Sequence, residues 1–386
     1  MPWFLLINMK NILLSAHIVT IVLLLTACGG RSKTSSAFIQ EDTIPMKYAE
    51  NLLLTKTNDY IKAQLRNPWD TTALLRTYIL VEKNKPIPEQ LPEGTIVHTP
   101  LEKSLVYTAV HCGLLDQLDA ISQIAGVCDI SYIQTQAVLE RCKSGSIIDA
   151  GASTNPDLEK IIDLHPDGIL LCPFENSGGF GRIEKLNIPI IECADYMETS
   201  ALGSAEWIRF YGLLFHRTTK ADSIFHEVEH NYNELKALAA SQPNKPKLMC
   251  ELKSGSAWYV PGGNSTTGKF YSESGADYLF SDYNQSGAIP LSFETVFDKA
   301  EAADFWLIKY HQATDKTLSE IRKDYAPYAN FKAFKNGNVY GCNTAHHTYY
   351  EDFPFHPDWV LKDLIKIFHP SLLPEHELKY FSKLAE

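Results

Sequence analysis

Several functions are excluded by what this 386-residue sequence does not contain. None of its eight cysteines stands in a C-x-x-C pair, which removes zinc-knuckle and dithiol-redox chemistry. Basic residues are in deficit, with 35 Lys and Arg against 46 Asp and Glu and a formal net charge of −11. The acids are dispersed and there is no basic patch, so nucleic acid is excluded as a partner. There is no G-x-S-x-G elbow and no P-loop. No dense His/Asp/Glu set at ligand spacing appears, which disfavours a bare metal ion as cargo. The N-terminal apolar run, Asn11 to Thr26, is shorter than the ~20 residues a spanning helix needs.

That run has a different use. It follows the single basic residue Lys10 and ends at Leu25-Thr26-Ala27-Cys28: a basic start, an apolar middle and a small-residue cleavage site form an export signal. The pattern resembles the lipobox of bacterial lipoproteins. That resemblance implies removal of residues 1–27, lipidation of Cys28 and attachment to a membrane. Met9-Lys10-Asn11 makes a better signal start than Met1-Pro2-Trp3. Residues 28–44 read as a flexible tether. Surface-bound lipoproteins of the Bacteroidota often carry an acidic run after the cysteine. Here the run is Gly-Gly-Arg-Ser-Lys, which places the protein facing the periplasm. Of the seven remaining cysteines at least one stays free, because seven is odd.

The rest of the chain, roughly 350 residues, is enough for two α/β domains. Residues 46 to 81 read as extended pieces. From Thr95 short apolar strands alternate with helical stretches. Thr95-Ile96-Val97 precedes a helix near Ser104 to Cys112, and Asp129 to Arg141 is helical in period. Gly168 to Cys172 and Ile188 to Glu192 are buried strands. Such alternation predicts parallel βαβ units. Ala205 to Phe215 reads as one helix. Thr219 to Ala239 reads as a second, with Ile224, Phe225, Val228, Tyr232, Leu235 and Ala239 on one face and Thr219 with Asp222 as its start cap. Strands resume at Lys247 to Leu252, Gly275 to Leu279, Phe305 to Ile308 and Asn338 to Tyr340, and Trp359 to Phe368 is a closing helix. The expected fold is α/β: two Rossmann-like lobes with parallel-rich sheets, joined by one long helix, with a ligand cleft between them. Residues 45–203 form the N-terminal lobe, 204–243 the helices with the connecting strut, and 244–386 the C-terminal lobe.

The lobes repeat a phrase. Leu158-Glu159-Lys160-Ile161-Ile162, Asp167 and Ile169-Leu170-Leu171 are echoed by Phe293-Glu294-Thr295-Val296-Phe297, Asp304 and Trp306-Leu307-Ile308. In each, an acid opens a short helix, an Asp follows it and a buried strand comes next.

From Thr95 onward the sequence resembles the periplasmic binding proteins of ABC importers for metal chelates, the helical-backbone class that takes ferric siderophores, haem or vitamin B12. The resemblance rests on Gly151-Ala152-Ser153-Thr154-Asn155-Pro156-Asp157-Leu158-Glu159, His165-Pro166-Asp167-Gly168-Ile169-Leu170 and Trp207-Ile208-Arg209-Phe210-Tyr211-Gly212-Leu213-Leu214-Phe215. Tyr259-Val260-Pro261-Gly262-Gly263-Asn264-Ser265 and His356-Pro357-Asp358-Trp359-Val360-Leu361-Lys362-Asp363-Leu364 complete it. It implies a monomeric binding protein, not an enzyme, with no cofactor of its own. It also implies an ABC permease and its ATPase as partners, with one acid on each lobe, Glu159 and Glu294, docking into permease arginines.

The ligand walls are expected in the loops 99–104, 173–179, 256–264 and 344–353. Phe174, Trp258, Tyr259, Tyr349, Tyr350 and Phe353 suit a large flat ligand, and His346 and His347 are candidate iron or cobalt ligands. The nearby cations are Lys103, Arg182, Lys253 and Lys269, few enough to leave room for cobalamin beside an anionic iron complex. Two other functions compete. One is a metal-dependent hydrolase built on His346, His347, Glu351 and Asp352; the other is a lipid-tethered protein-binding adaptor.

Overall fold

In the computed structural model of the protein the described residues are 41–386, apart from 71 and 176–178. The proposed signal, Cys28 and most of the tether lie outside them. The alternation of apolar strands and helices produces the two expected parallel sheets. In the first lobe the strand order is Ile190–Glu192, Gly168–Leu171, Ser104–Val106, Ile124–Val127, Ile148–Asp149, all parallel. In the second it is Asp277–Tyr278, Lys247–Cys250, Phe305–Tyr310, Val339–Asn343, Ser382–Lys383, and only the last strand is antiparallel.

Each sheet starts near its middle and grows first to one side, then to the other. The first therefore has a switch point between Ser104–Val106 and Gly168–Leu171, and the second between Lys247–Cys250 and Phe305–Tyr310. Helices leaving in opposite directions at a switch point open a crevice at the carboxyl ends of the strands.

The repeated phrase has a structural meaning. Asp167 and Asp304 each stand just before the strand across the switch point, Gly168–Leu171 or Phe305–Tyr310, and reach back to the start of the lobe's first strand. Asp167 accepts the N–H groups of Glu102 (2.7 Å) and Lys103 (3.0 Å), and Asp304 accepts that of Lys247 (2.8 Å). Backbone bonds return from Asp167 N–H to the Lys103 carbonyl and from Asp304 N–H to the Lys247 carbonyl. The same carboxylate lock fixes the register of adjacent parallel strands in both lobes.

The connecting helix is Thr218–Ala240, 23 residues and roughly 34 Å long. Phe225, Val228, Tyr232 and Ala239 are buried, while Ile224 and Leu235 flank them at the edge of the stripe. The predicted cap is corrected: Arg217 holds the N-cap position, without a side-chain hydrogen bond, and Thr219 lies inside the first turn.

Four other local expectations change. Ser104–Val106 is the central strand of the first sheet, and the helix runs over Ala109–Gln117. All three strand residues are buried, so their side chains carried no alternation to mark a strand. Thr95–Thr99 pairs in parallel with Leu74–Glu82 at the edge of a separate five-stranded sheet over residues 42–99. The helix expected over 205–215 is two, Ala201–Glu206 and Ile208–Leu214, meeting at Trp207. The stretch 129–141 is likewise divided, into a 3-10 turn at Ile130–Tyr132 and a helix at Gln136–Lys143.

The segment entering this fold is held by two buried acids. Glu206 accepts the N–H groups of Lys47, Tyr48 and Ala49, and Glu198 accepts those of Glu50 and Asn51. Burying a carboxylate is costly unless its lone pairs are filled. Here five backbone donors and the Trp207 indole N–H fill them. All seven described cysteines are unpaired thiols.

Candidate functional site

The carboxyl ends of both parallel sheets open onto cavities. The larger, about 710 Å³, lies at the carboxyl ends of the first lobe's strands. Tyr107 and Thr108 follow Ser104–Val106, Leu171 and Cys172 end Gly168–Leu171, and Phe174, Phe180 and Arg182 come from the loop beyond. A smaller cavity of about 280 Å³ opens at the second lobe's strand ends, where Lys309, Tyr310, His311, Thr344, His347 and Tyr350 line it. Ala109 and Tyr132 line both, so the two volumes adjoin as one cleft between the lobes. Tyr132 reaches across it, with its ring centroid 5.6 Å from that of His311.

The expected ligand residues divide. Phe174, 63% exposed, stands at the larger cavity, and Tyr350 and His347 stand at the smaller one. Trp258 does not. It is fully buried, its ring centroid 5.7 Å from Trp306, 5.5 Å from Tyr328 and 5.8 Å from Phe331, and its indole N–H donates to the Cys250 carbonyl (3.0 Å). Its neighbour Tyr259 points the other way, as strand alternation requires, onto an exposed face of the small sheet Lys253–Ser254, Ala257–Pro261, Ala288–Leu291. Tyr349 is buried and stacks on Phe353 behind the cleft wall. His346 turns to the Ala313 carbonyl (2.9 Å), outside both cavities.

Of the four cations expected near the ligand, Arg182 lines the larger cavity, and Lys103, Lys253 and Lys269 line neither of the two. Lys269 instead donates to the Thr199 carbonyl (2.8 Å). Lys309 is the cation that local sequence does not mark. It is paired with Glu251 and lies 3.2 Å from the Tyr271 hydroxyl. Burial works against its ammonium, but Glu251 and the tyrosine oxygens outweigh burial, and its pKa stays well above the usual lysine value.

The hydrolase arrangement is not assembled. Asp352 is taken by Thr348, Lys379 and Tyr380, and Glu351 by Gln134 and Thr135. One motif unused above, His226-Glu227-Val228-Glu229-His230, has H-E-x-x-H spacing on a helix. Its Glu229 is paired with Lys47 and bonded to Tyr48, and His226 faces the Arg209 guanidinium at 3.5 Å. Among the described residues no three His, Cys, Asp or Glu side chains converge on a metal position.

Glu351 has a different task. From the helix Tyr349–Asp352 of the second lobe it accepts Gln134 N–H and Thr135 Oγ1–H of the first, both at 2.6 Å. The helices pack so closely that a Cβ on Gly113 would lie 3.0 Å from the Glu351 Cβ. Burial pushes the Glu351 carboxyl pKa above its usual value, and the two hydrogen bonds offset this only in part. Its neutral form is therefore favoured in the fold, a contribution complete below the unfolded pKa and lost as pH rises through the raised one. Glu351→Ala is expected to cost about 1–3 kcal/mol by leaving two donors unpaired. Against Glu351→Gln, wild type should gain stability between pH 7 and pH 5, measured by urea unfolding. A pH-independent difference would contradict this.

Beneath the larger cavity lies a buried polar chain. Tyr211 O–H donates to Asp195 Oδ1 (2.6 Å), and His111 Nε2 sits 3.2 Å from the same oxygen. A proton on Nε2 satisfies that contact, so Nδ1 accepts the Thr108 hydroxyl at 2.5 Å. The chain orients the Thr108 side chain, which caps the helix Ala109–Gln117.

Comparison with known proteins agrees with this architecture. An uncharacterized lipoprotein of Methanocaldococcus jannaschii is 28% identical over 364 residues, covering 88% of this chain and 85% of the relative. A periplasmic binding protein from Veillonella parvula superposes with a TM-score of 0.59 at 13% identity, over 71% of this chain and 93% of its own. A periplasmic heme binding protein from Pseudomonas aeruginosa does so with a TM-score of 0.58 at 14% identity, over 74% and 99%. The family model described as periplasmic binding protein matches residues 106–345, from the central strand of the first sheet to the loop at the second cavity. Two lobes with cavities at facing strand ends, and a family match spanning both, make this chain a member of the periplasmic binding protein family, whose members bind substrates and are not enzymes.

Proposed function

We propose that the protein is the lipid-anchored capture component of an ABC importer. It takes a large metal chelate, an iron complex such as haem or a ferric siderophore, or cobalamin, into the inter-lobe cleft and delivers it to the permease. The observation that carries this reading is the adjoining pair of cavities, walled by Tyr107, Tyr132, Phe174, Phe180 and Tyr350. The larger, about 710 Å³, is in the range of small-molecule sites, and the smaller, about 280 Å³, extends it. Rings fixed at strand ends bury wide, flat ligand surface at little entropic cost. The heme-binding neighbour and the lipoprotein relative support the chelate and the anchor at Cys28. Glu159 and Glu294 are the proposed permease contacts. The protein acts as a monomer, and the long connecting helix with the Glu351 clasp limits closure to a small motion.

No tryptophan lines either cavity, so contact quenching of tryptophan is a poor probe. Calorimetric titration with haem, ferric siderophores and cobalamin is the direct test. Saturable binding of one of them at micromolar or lower concentration is expected. Absence of binding by all would count against the reading.

A further inference from the structure

The cleft is made of two chambers, and one large side chain stands where they meet. Tyr132 lines both cavities. The other residue common to the two, Ala109, has no side chain beyond Cβ. Tyr132 belongs to the first lobe, on the 3-10 turn Ile130–Tyr132, yet its ring centroid lies 5.6 Å from that of His311 in the second. His311 is held by its own lobe, with Thr344 Oγ1 3.2 Å from its Nδ1.

The turn that carries Tyr132 is fixed at both ends. Asp129 enters it in the left-handed conformation (φ 51°), its Oδ1 accepts the Ser153 N–H at 3.0 Å, and its carbonyl accepts the Tyr132 N–H at 2.9 Å. Two residues beyond Tyr132, the Gln134 N–H and the neighbouring Thr135 hydroxyl are bound by Glu351 of the second lobe, both at 2.6 Å. The ring itself is 62% exposed. A fixed backbone under an unburied ring marks a side chain that occupies the cleft rather than packing the core.

We propose that Tyr132 is a specificity-determining residue that divides the cleft by ligand size. With the ring in place, the chamber at the first lobe's strand ends, about 710 Å³, takes a compact chelate by itself. A chelate that needs both chambers, such as cobalamin with its nucleotide arm, has to push the ring aside. Displacing it forfeits the ring contact with His311 and the preferred rotamer, together about tenfold in affinity. The proposal rests on the binding reading above and narrows its cargo to haem or a compact ferric siderophore.

Calorimetry of the full-length protein in detergent tests it, with haem, a ferric trihydroxamate and cobalamin titrated into wild type, Tyr132→Phe and Tyr132→Ala. Wild type should bind haem or the trihydroxamate at least about tenfold more tightly than cobalamin. Tyr132→Ala should gain about tenfold in cobalamin affinity and keep its affinity for the compact chelate within about threefold. Tyr132→Phe should behave as wild type, because the ring and not the hydroxyl fills the space; a phenol that ligated a metal or bonded to the ligand would be missed in both variants. All three proteins should melt at the same temperature, since the ring lies outside the core. Equal affinity of wild type for cobalamin and the compact chelates would overturn the proposal and leave the binding reading standing. So would the absence of a cobalamin gain in Tyr132→Ala, loss of compact-chelate binding in Tyr132→Phe, or a lower melting temperature in Tyr132→Ala. Binding of none of the three ligands by wild type would overturn both.

Discussion

Reversing two surface charges, Glu159→Lys together with Glu294→Lys, is expected to abolish uptake while leaving ligand affinity within about twofold of wild type. Each carboxylate sits in the first turn of a short helix, Leu158–Leu164 or Phe293–Ala300, at equivalent points of the two lobes. Each helix is already capped by its own residue, Asp157 through Lys160 N–H and Ser292 through Thr295 N–H. Neither glutamate is needed for capping. Both are exposed, and neither makes an ion pair among the described residues. Loss of their interaction with the helix dipoles costs only about 0.3–1 kcal/mol each. Like charges facing permease arginines cost several kcal/mol at an interface. Chelate uptake in proteoliposomes with the cognate permease reads the effect, and calorimetry of the same variant checks affinity. Normal uptake by the double variant would refute the docking role.

The second large effect concerns stability. Trp258→Ala should destabilise the protein by about 3–5 kcal/mol, the range for removing a buried large aromatic side chain. The indole is enclosed by Trp306, Tyr328 and Phe331, and its loss also strips a donor from the Cys250 carbonyl. Because the residue lies behind the cleft, ligand affinity of the folded fraction should stay at the wild-type value. Tyr350→Ala is the contrast: about half exposed at the second cavity, it should leave stability nearly unchanged and weaken binding. Denaturant unfolding and calorimetry on the two variants separate the roles. A Trp258→Ala protein that unfolds like wild type would place the ring outside the core.

Two of the aromatic residues just discussed show where local sequence stops being informative. Trp258 and Tyr350 both sit in aromatic dipeptides of loop-like composition, and nothing within ten residues of either tells core from cleft. The Trp258 ring is buried by residues at 306, 328 and 331, contacts that exist only after the second sheet has formed. Tyr107 was hidden for a related reason. The strand before it, Ser104–Val106, is three residues long and wholly buried, so it carries no alternation, and the position of Tyr107 just past its end is visible only once the strand is known. Lys309 is likewise an ordinary lysine until Glu251 is brought beside it from the neighbouring strand.

What the sequence by itself determined is whatever depends on short-range pattern. The βαβ alternation from Gly168 onward, the long amphipathic helix, the repeated acid–helix–Asp–strand phrase and the first-turn position of Glu159 and Glu294 all follow from residues within about one or two turns or strands of each other. Periodicity and capping are local physics. What only the tertiary structure decided is the orientation of the side chains in loops: which aromatics wall the cleft, that Glu351 clasps the opposite lobe, and that Tyr132 reaches across the cleft. Those outcomes are set by which distant segments exclude water from a given ring or carboxylate, and that competition is settled by packing across the whole chain.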